Sequence, residues 1–209
     1  MQSNGIIFIL SAPSGTGKTT ICKLLTQKLP DLKFSISHTT REPRNGEVEG
    51  TDYHFTSKKE FEEKIERGEF LEWAKVFKNY YGTAFESVDR HHLNGDDVLI
   101  ELDVQGAQSL RDIHYKAVFI FMMPPSLEVL ETRLNNRGTE SASEIQERLK
   151  ISEKEMQLSP LYDYILTNVD AEETTDHLLS IITAEHFRKE HYKPSSPDLD
   201  NLINDEAHT

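Results

Sequence analysis

Short apolar runs alternate along this chain with longer stretches whose apolar residues recur at helical spacing. Ile6–Leu10, Val98–Asp103 and Val118–Met123 predict strands buried in a sheet, with shorter strands at Phe34–Ser37 and Tyr164–Thr167. The stretches following these strands predict helices over Thr19–Leu29, near Gln105–Ile113 and from about Glu172 to His191. Pro124 and Pro125 stop the Val118 run, and Ser126 is placed to cap a helix through Arg133. Strands alternating with helices in this way build βαβ units on a parallel sheet, an α/β fold.

Two segments break the rhythm. Thr39–Asp89 is rich in Tyr, Phe, Gly and charge and holds only short strand-like pieces. Within it Ser57 and Glu60 predict a capping box for a helix whose buried face carries Phe61 and Ile65. Asn135–Leu158 is polar, is accompanied by Arg133, Arg137 and Arg148, and offers a second capping box at Ser143 and Gln146. These segments are expected to be an inserted substrate lobe and a lid. The tail after Tyr192 is expected to be disordered.

The turn after the first strand carries chemistry. Ser11-Ala12-Pro13-Ser14-Gly15-Thr16-Gly17-Lys18-Thr19-Thr20 approximates the phosphate-loop pattern, between a strand and a helix as that motif requires. Gly15 and Gly17 let backbone amides turn toward phosphate oxygens, and the helix N-terminus adds partial positive charge. Lys18 would reach the β- and γ-phosphates of ATP, and the Thr19 hydroxyl would coordinate Mg²⁺. Ala12 replaces the first glycine of the pattern, a change tolerable at negative φ.

Composition narrows the setting. The 209 residues suit one compact domain with small inserted lobes, and 36% apolar with 28% charged residues is ordinary for a globular protein. No apolar run reaches the roughly 18 residues of a membrane span, and MQSNG lacks the features of a secretion signal. Cys22 is the single cysteine and reads as a small buried side chain, so a cytoplasmic setting is expected. A net charge of −13 argues against nucleic acid as a partner but leaves room for a small anionic substrate. Adjacent His91 and His92 would face different ways on a helix and suggest no metal site.

A second anion site is suggested by Arg41 and Arg44, three residues apart on a proline-containing turn, because paired guanidinium forks suit a terminal phosphate. Tyr80 and Tyr81 could complete such a cradle or be core aromatics, and Arg44 could be a solvated charge. In order and spacing, SAPSGTGK, SHTTREPRNGEVEGTDYHF, FLEWA, NYYGT, LDVQG and RLNNRGTES resemble the guanylate kinase family over roughly Gly5 to Arg188. The resemblance implies a three-layer P-loop NTPase fold with a parallel sheet core, an inserted mixed α+β monophosphate-binding lobe and a helical lid. The core would span about 4–37, 90–125 and 159–191, with the lobe at about 38–89 and the lid at about 126–158.

It further implies transfer of the γ-phosphate of ATP to GMP and dGMP with Mg²⁺. Arg41, Arg44, Tyr53 and Tyr81 would hold the acceptor phosphate, while Ser37, Glu72, Thr83 and Asp103 would surround guanine. Guanine offers N1–H and an exocyclic amine as adjacent donors, which one carboxylate such as Glu72 can accept. The family often has serine at the position of Thr83 and aspartate at that of Glu101, whose longer carboxylate would reach Mg²⁺ through water. Arg137 and Arg148 would arrive from the lid, with Arg133 a weaker lid candidate. Two rivals remain at this point: a phosphate-loop kinase with another acceptor, and a non-catalytic module that uses the same fold to bind phosphorylated peptides.

Overall fold

The computed structural model describes residues 5–76, 78–136 and 142–192. In chain order the elements begin with β1 (Ile7–Ser11), α1 (Lys18–Lys28), β2 (Lys33–Ser35), β3 (His38–Thr39) and β4 (His54–Phe55). Next come α2 (Lys58–Glu66), β5 (Phe70–Val76), β6 (Asn79–Ala84), α3 (Phe85–His92), β7 (Val98–Leu102) and α4 (Val104–Asp112). The chain continues with β8 (Val118–Met123), α5 (Leu127–Asn135), α6 (Ala142–Met156), β9 (Tyr164–Thr167) and α7 (Ala171–Glu185).

The main sheet has the order β2-β7-β1-β8-β9, and every pairing in it is parallel. Side chains alternate between its faces, as the pleat requires. Phe8, Leu10, Leu99, Ile120 and Met122 pack with Ile21 and Leu25 of α1 and Leu178 and Ile182 of α7. Ile7, Ile9, Ile100, Phe119 and Phe121 pack with Val88 of α3 and with Val104, Ala107 and Leu110 of α4. Burial on both sides explains why these strands are unbroken apolar runs, and it makes the expected three-layer α/β core.

The inserted segment builds a second, mixed sheet of order β4-β3-β6-β5, in which β5 and β6 form an antiparallel hairpin. Helix α2 covers it through Phe61, stacked on Phe70 at 4.4 Å and Tyr80 at 5.3 Å between ring centroids. Its start is the Ser57–Glu60 capping box, with both reciprocal bonds formed. Helices α5 and α6 share a small cluster of Leu130, Leu134, Ile145 and Leu149.

Three expectations need correction. The last helix stops at Glu185 rather than His191, because the chain folds back: the Tyr192 amide donates to the Arg188 carbonyl and His191 Nδ1 lies 3.0 Å from the Glu185 carbonyl. The Ser143–Gln146 capping box does not form; Ser143 lies within α6, and the Gln146 amide donates to Glu131 across the α5–α6 contact. β2 ends at Ser35, two residues early, which frees Ser37 to turn toward the second sheet. The tail from residue 193 lies outside the described residues.

Candidate functional site

Ligands of open parallel sheets collect beyond the carboxyl ends of the strands, and β1 runs into the phosphate loop at that edge. Ser11 and Ala12 are buried, and the Ser11 hydroxyl has no hydrogen-bond partner. Pro13 starts the turn, where its carbonyl accepts from the Thr16 amide and hydroxyl. Gly15 and Gly17 take φ of +94° and +105°, conformations that side-chain-bearing residues avoid. Ser14 is exposed and receives Nη1 of Arg148 at 2.8 Å, so an α6 arginine already touches the loop. Arg137 falls outside the described residues.

Lys18 opens α1. Its ammonium donates to the Leu102 carbonyl and stands 3.9 Å from Glu101, so it points along the ends of β1 and β7. Thr19 and Thr20, one residue further into the helix each, have exposed side chains. Thr19 lines a cavity of about 570 Å³ together with Ser37, Arg44, Glu47, Tyr53 and Glu101. A smaller cavity of about 130 Å³ continues from it between the two sheets, lined by Lys18, Glu72, Tyr81, Asp103 and again Ser37, Tyr53 and Glu101. Lys18 and Thr19 at the end of the loop and residues of the inserted lobe thus line the same two adjoining cavities.

The inner end of this space is polar and incompletely paired. Glu72 of β5 is 7% exposed, opposite Thr83 of β6, and Gly106 leaves it room: a β-carbon there would sit 2.4 Å from Oε2. Burial pushes the Glu72 carboxyl up to about 7; the charge of Asp103 acts the same way, and hydrogen bonds from Thr83 oppose it. Asp103 caps α4 with one oxygen, accepting from the Gly106 amide at 2.7 Å, while its buried Oδ2 has no partner. The Ser37 and Thr83 hydroxyls sit 3.4 Å apart. Glu155 of α6 also has its carboxyl raised to about 7, through burial and then the charge of Asp103.

Beside Tyr53, which borders both cavities, lies a cationic and aromatic group. Arg41 is held bidentately by Glu47, at 2.9 Å on both nitrogens, and lies 5.4 Å from the Tyr53 ring centroid. The Tyr53 and Tyr81 rings meet edge-on at 6.1 Å. Arg44 has an exposed side chain that borders the larger cavity. Tyr80, by contrast, is spent on the Phe61 stack, so the two tyrosines divide between core and cavity.

A family model described as guanylate kinase matches residues 5–185. The chain belongs to the guanylate kinase family. It is 45% identical to the guanylate kinase of Caldanaerobacter subterraneus over 92% of this chain and 94% of that one. It is 49% identical to that of Neisseria meningitidis over 88% and 90%. The crystal structure of guanylate kinase from Anaplasma phagocytophilum matches with a TM-score of 0.75 at 35% identity, covering 90% of this chain and 89% of that chain.

Three residues of the site region carry no motif in the sequence, and a fourth lies elsewhere than expected. Glu47, which fixes Arg41, was visible only as one acid in a run of turn residues. Glu155 had no signal beyond helical spacing. Asn168 follows the last strand as an isolated polar residue and is 4% exposed, and Arg133, expected of a lid, instead reaches the Thr16 carbonyl from α5.

Proposed function

We propose that the β1–α1 loop holds the phosphates of ATP and that the cavity between the two sheets holds GMP, with guanine at Glu72 and its phosphate toward Arg41. As a guanylate kinase, the chain is an ATP:GMP phosphotransferase. The observation that carries the assignment is the shared cavity: Lys18 of the loop and Glu72, Tyr81 and Asp103 line the same small space.

Guanine supplies two adjacent donors, and this end of the cavity offers a buried carboxylate and the unpartnered Asp103 Oδ2 to accept them. Adenine reverses that pattern and would leave a buried carboxylate without a donor, the kind of mismatch that discriminates by about 10⁴–10⁵-fold. Tyr53, Tyr81 and the Arg41–Arg44 pair suit the acceptor phosphate, and the Ser37 and Thr83 hydroxyls suit guanine O6. The acceptor oxygen is ionised near neutral pH, since a phosphomonoester has its second pKa at about 6, so no general base is needed. Catalysis then rests on holding two phosphates in line and balancing their charge, which Lys18, Arg41 and Arg148 do from three directions. Arg137 joins them in this reading, as a second lid arginine.

The site fits Mg²⁺: the Thr19 hydroxyl and the Glu101 carboxylate are hard oxygen donors lining one cavity. Bound there, the ion supplies neutralisation of phosphate charge. The lobe at about 38–89 and the lid at about 126–158 would close over both nucleotides and exclude water. A cytoplasmic location completes the reading.

The test is an ADP-release assay with GMP, dGMP, AMP and a ribose bisphosphate as acceptors. GMP and dGMP should be used and AMP rejected by at least about 10³-fold. Equal use of AMP would remove Glu72 and Asp103 from base recognition.

A further inference from the structure

The Thr16 carbonyl, buried within the phosphate loop, receives two donors from separate parts of the chain. Arg133 Nη1 of α5 donates to it at 2.8 Å, and Asn168 Nδ2, just past β9, donates at 2.7 Å. The two donors are themselves tied together. Arg133 Nη2 donates to the Asn168 carbonyl at 3.2 Å, and Asn168 Oδ1 accepts from Thr174 of α7 at 3.2 Å. The Asn168 amide is fixed by the Met123 carbonyl at the end of β8.

A trans peptide points its carbonyl and the following N–H in opposite directions. Holding the Thr16 carbonyl toward Arg133 and Asn168 therefore aims the Gly17 N–H away from them, toward the mouth of the loop. Gly17 accepts at its carbonyl from Thr20 and Ile21, while its N–H has no protein partner among the described residues. This peptide plane sits beside a glycine at φ +105° and one residue after another at φ +94°. Glycines permit the plane to flip at little steric cost, and a flipped plane would present carbonyl lone pairs where the loop must offer donors. Gly17 also makes the clamp possible, because a β-carbon there would lie 2.7 Å from Asn168 Nδ2.

We propose that Arg133 and Asn168 are positioning residues of the donor site: they lock the Thr16–Gly17 peptide so that the Gly17 N–H faces a polyphosphate. The inference rests on the reading that this loop holds the phosphates of ATP. It differs from simple satisfaction of a buried carbonyl, for which one donor would suffice. It also differs from a lid role for Arg133, whose guanidinium is occupied beneath the loop.

The experiment measures binding of Mg·ATP and of magnesium tripolyphosphate, which has no base or sugar, to the full chain by calorimetry. Variants are Asn168→Asp, which turns the donor into an acceptor of the same shape, Arg133→Met and Arg133→Lys. Both ligands should weaken together by about tenfold or more in Asn168→Asp and Arg133→Met. Arg133→Lys should recover part of the loss, and GMP affinity should stay within about twofold. The Gly17 amide resonance should shift on adding tripolyphosphate to the wild type, and by much less in the variants.

Weakened ATP binding with unchanged tripolyphosphate binding would assign these residues to the nucleoside and overturn the clamp. Unchanged binding of both would overturn it as well. A wild-type protein that binds neither ligand would instead overturn the nucleotide reading itself, and the clamp with it. Should Asn168→Asp not fold, the Arg133→Met and Arg133→Lys pair decides alone.

Discussion

The two ends of the site are built in opposite ways. At the phosphate loop pairing is dense: the Thr16 carbonyl has two donors, its hydroxyl donates to Pro13, and the exposed Ser14 receives Arg148, although the buried Ser11 hydroxyl has no partner. At the inner end it is sparser: Glu72 is buried with its carboxyl pushed up to about 7 despite hydrogen bonds from Thr83, and Asp103 Oδ2 has no partner. On the proposed reading the loop serves a group present in many nucleotides, so a loop shaped in advance would give affinity without selectivity. The inner cavity leaves the Asp103 Oδ2 acceptor unmet, and unmet buried acceptors are a source of discrimination.

The largest expected effect breaks the donor end alone. Lys18→Met should lower turnover by about 10³-fold, the scale of losing one charged group aimed at transferring phosphate oxygens. GMP affinity, read by calorimetry without ATP, should change only a few-fold. A comparable loss of GMP affinity would show that the ends are not separable.

Glu72→Gln attacks the other end and separates function from stability. It should lower kcat/KM for GMP by about 10²-fold, because an amide cannot accept both guanine donors. Yet the ligand-free variant should be more stable than the wild type at pH 8, by roughly 3 kcal/mol. The folded-state pKa of Glu72 lies near 7, above its ordinary value of 4.5, so the native protein holds a proton that the unfolded chain releases. Native stability from this group is therefore lost as pH rises from about 4.5 through 7, and the difference between variant and wild type should vanish near pH 4.5. Denaturant melts at pH 4.5 and 8 check the sign.

A smaller effect is expected where α6 meets the loop. Arg148→Ala should reduce turnover by roughly ten- to a hundredfold. Its side-chain bond to Ser14 is exposed, so stability should change by no more than about 1 kcal/mol. Turnover equal to wild type would remove Arg148 from the mechanism.

How much of this contrast could be read from sequence follows the range of the interactions. The Ser57–Glu60 box spans four residues and formed as expected; the Val118–Met123 strand is an apolar run closed by Pro124 and matches residue for residue. The phosphate loop was legible because its function constrains consecutive residues. Partners distant in sequence were not. Gln146 bonds Glu131 instead of serving a cap, Arg133 braces a carbonyl 117 positions away, and α7 ends early where the chain turns back on Glu185. Asn168 is a single residue whose meaning exists only once β9 lies beside β8 and the loop. At the base end, Glu72, Asp103 and Thr83 came from family resemblance, but the unmet pairing that distinguishes this end has no sequence signal.

The smallest effect tests whether that unmet pairing is ionic. In the proposed placement guanine's two donors need Glu72 in its charged form, whereas burial favours the protonated one. Asp103 at the α4 cap favours protonation of Glu72, while Lys18 and the Thr83 bonds oppose it. Glu155 of α6, which faces Asp103 and Lys18, carries a raised carboxyl of its own. GMP binding at pH 7 should therefore release a substantial fraction of a proton, read from calorimetry in buffers of different ionisation enthalpy. Affinity should fall about tenfold between pH 8 and pH 6 as the proton competes with the nucleotide. The GMP phosphate titrates at about pH 6 and adds its own dependence in the same direction, so the decisive quantity is the difference between wild type and Glu72→Gln. If the variant releases as many protons as the wild type, the linkage belongs to the phosphate or to Glu155, and the base end is selective by hydrogen-bond geometry without a proton exchanged at Glu72.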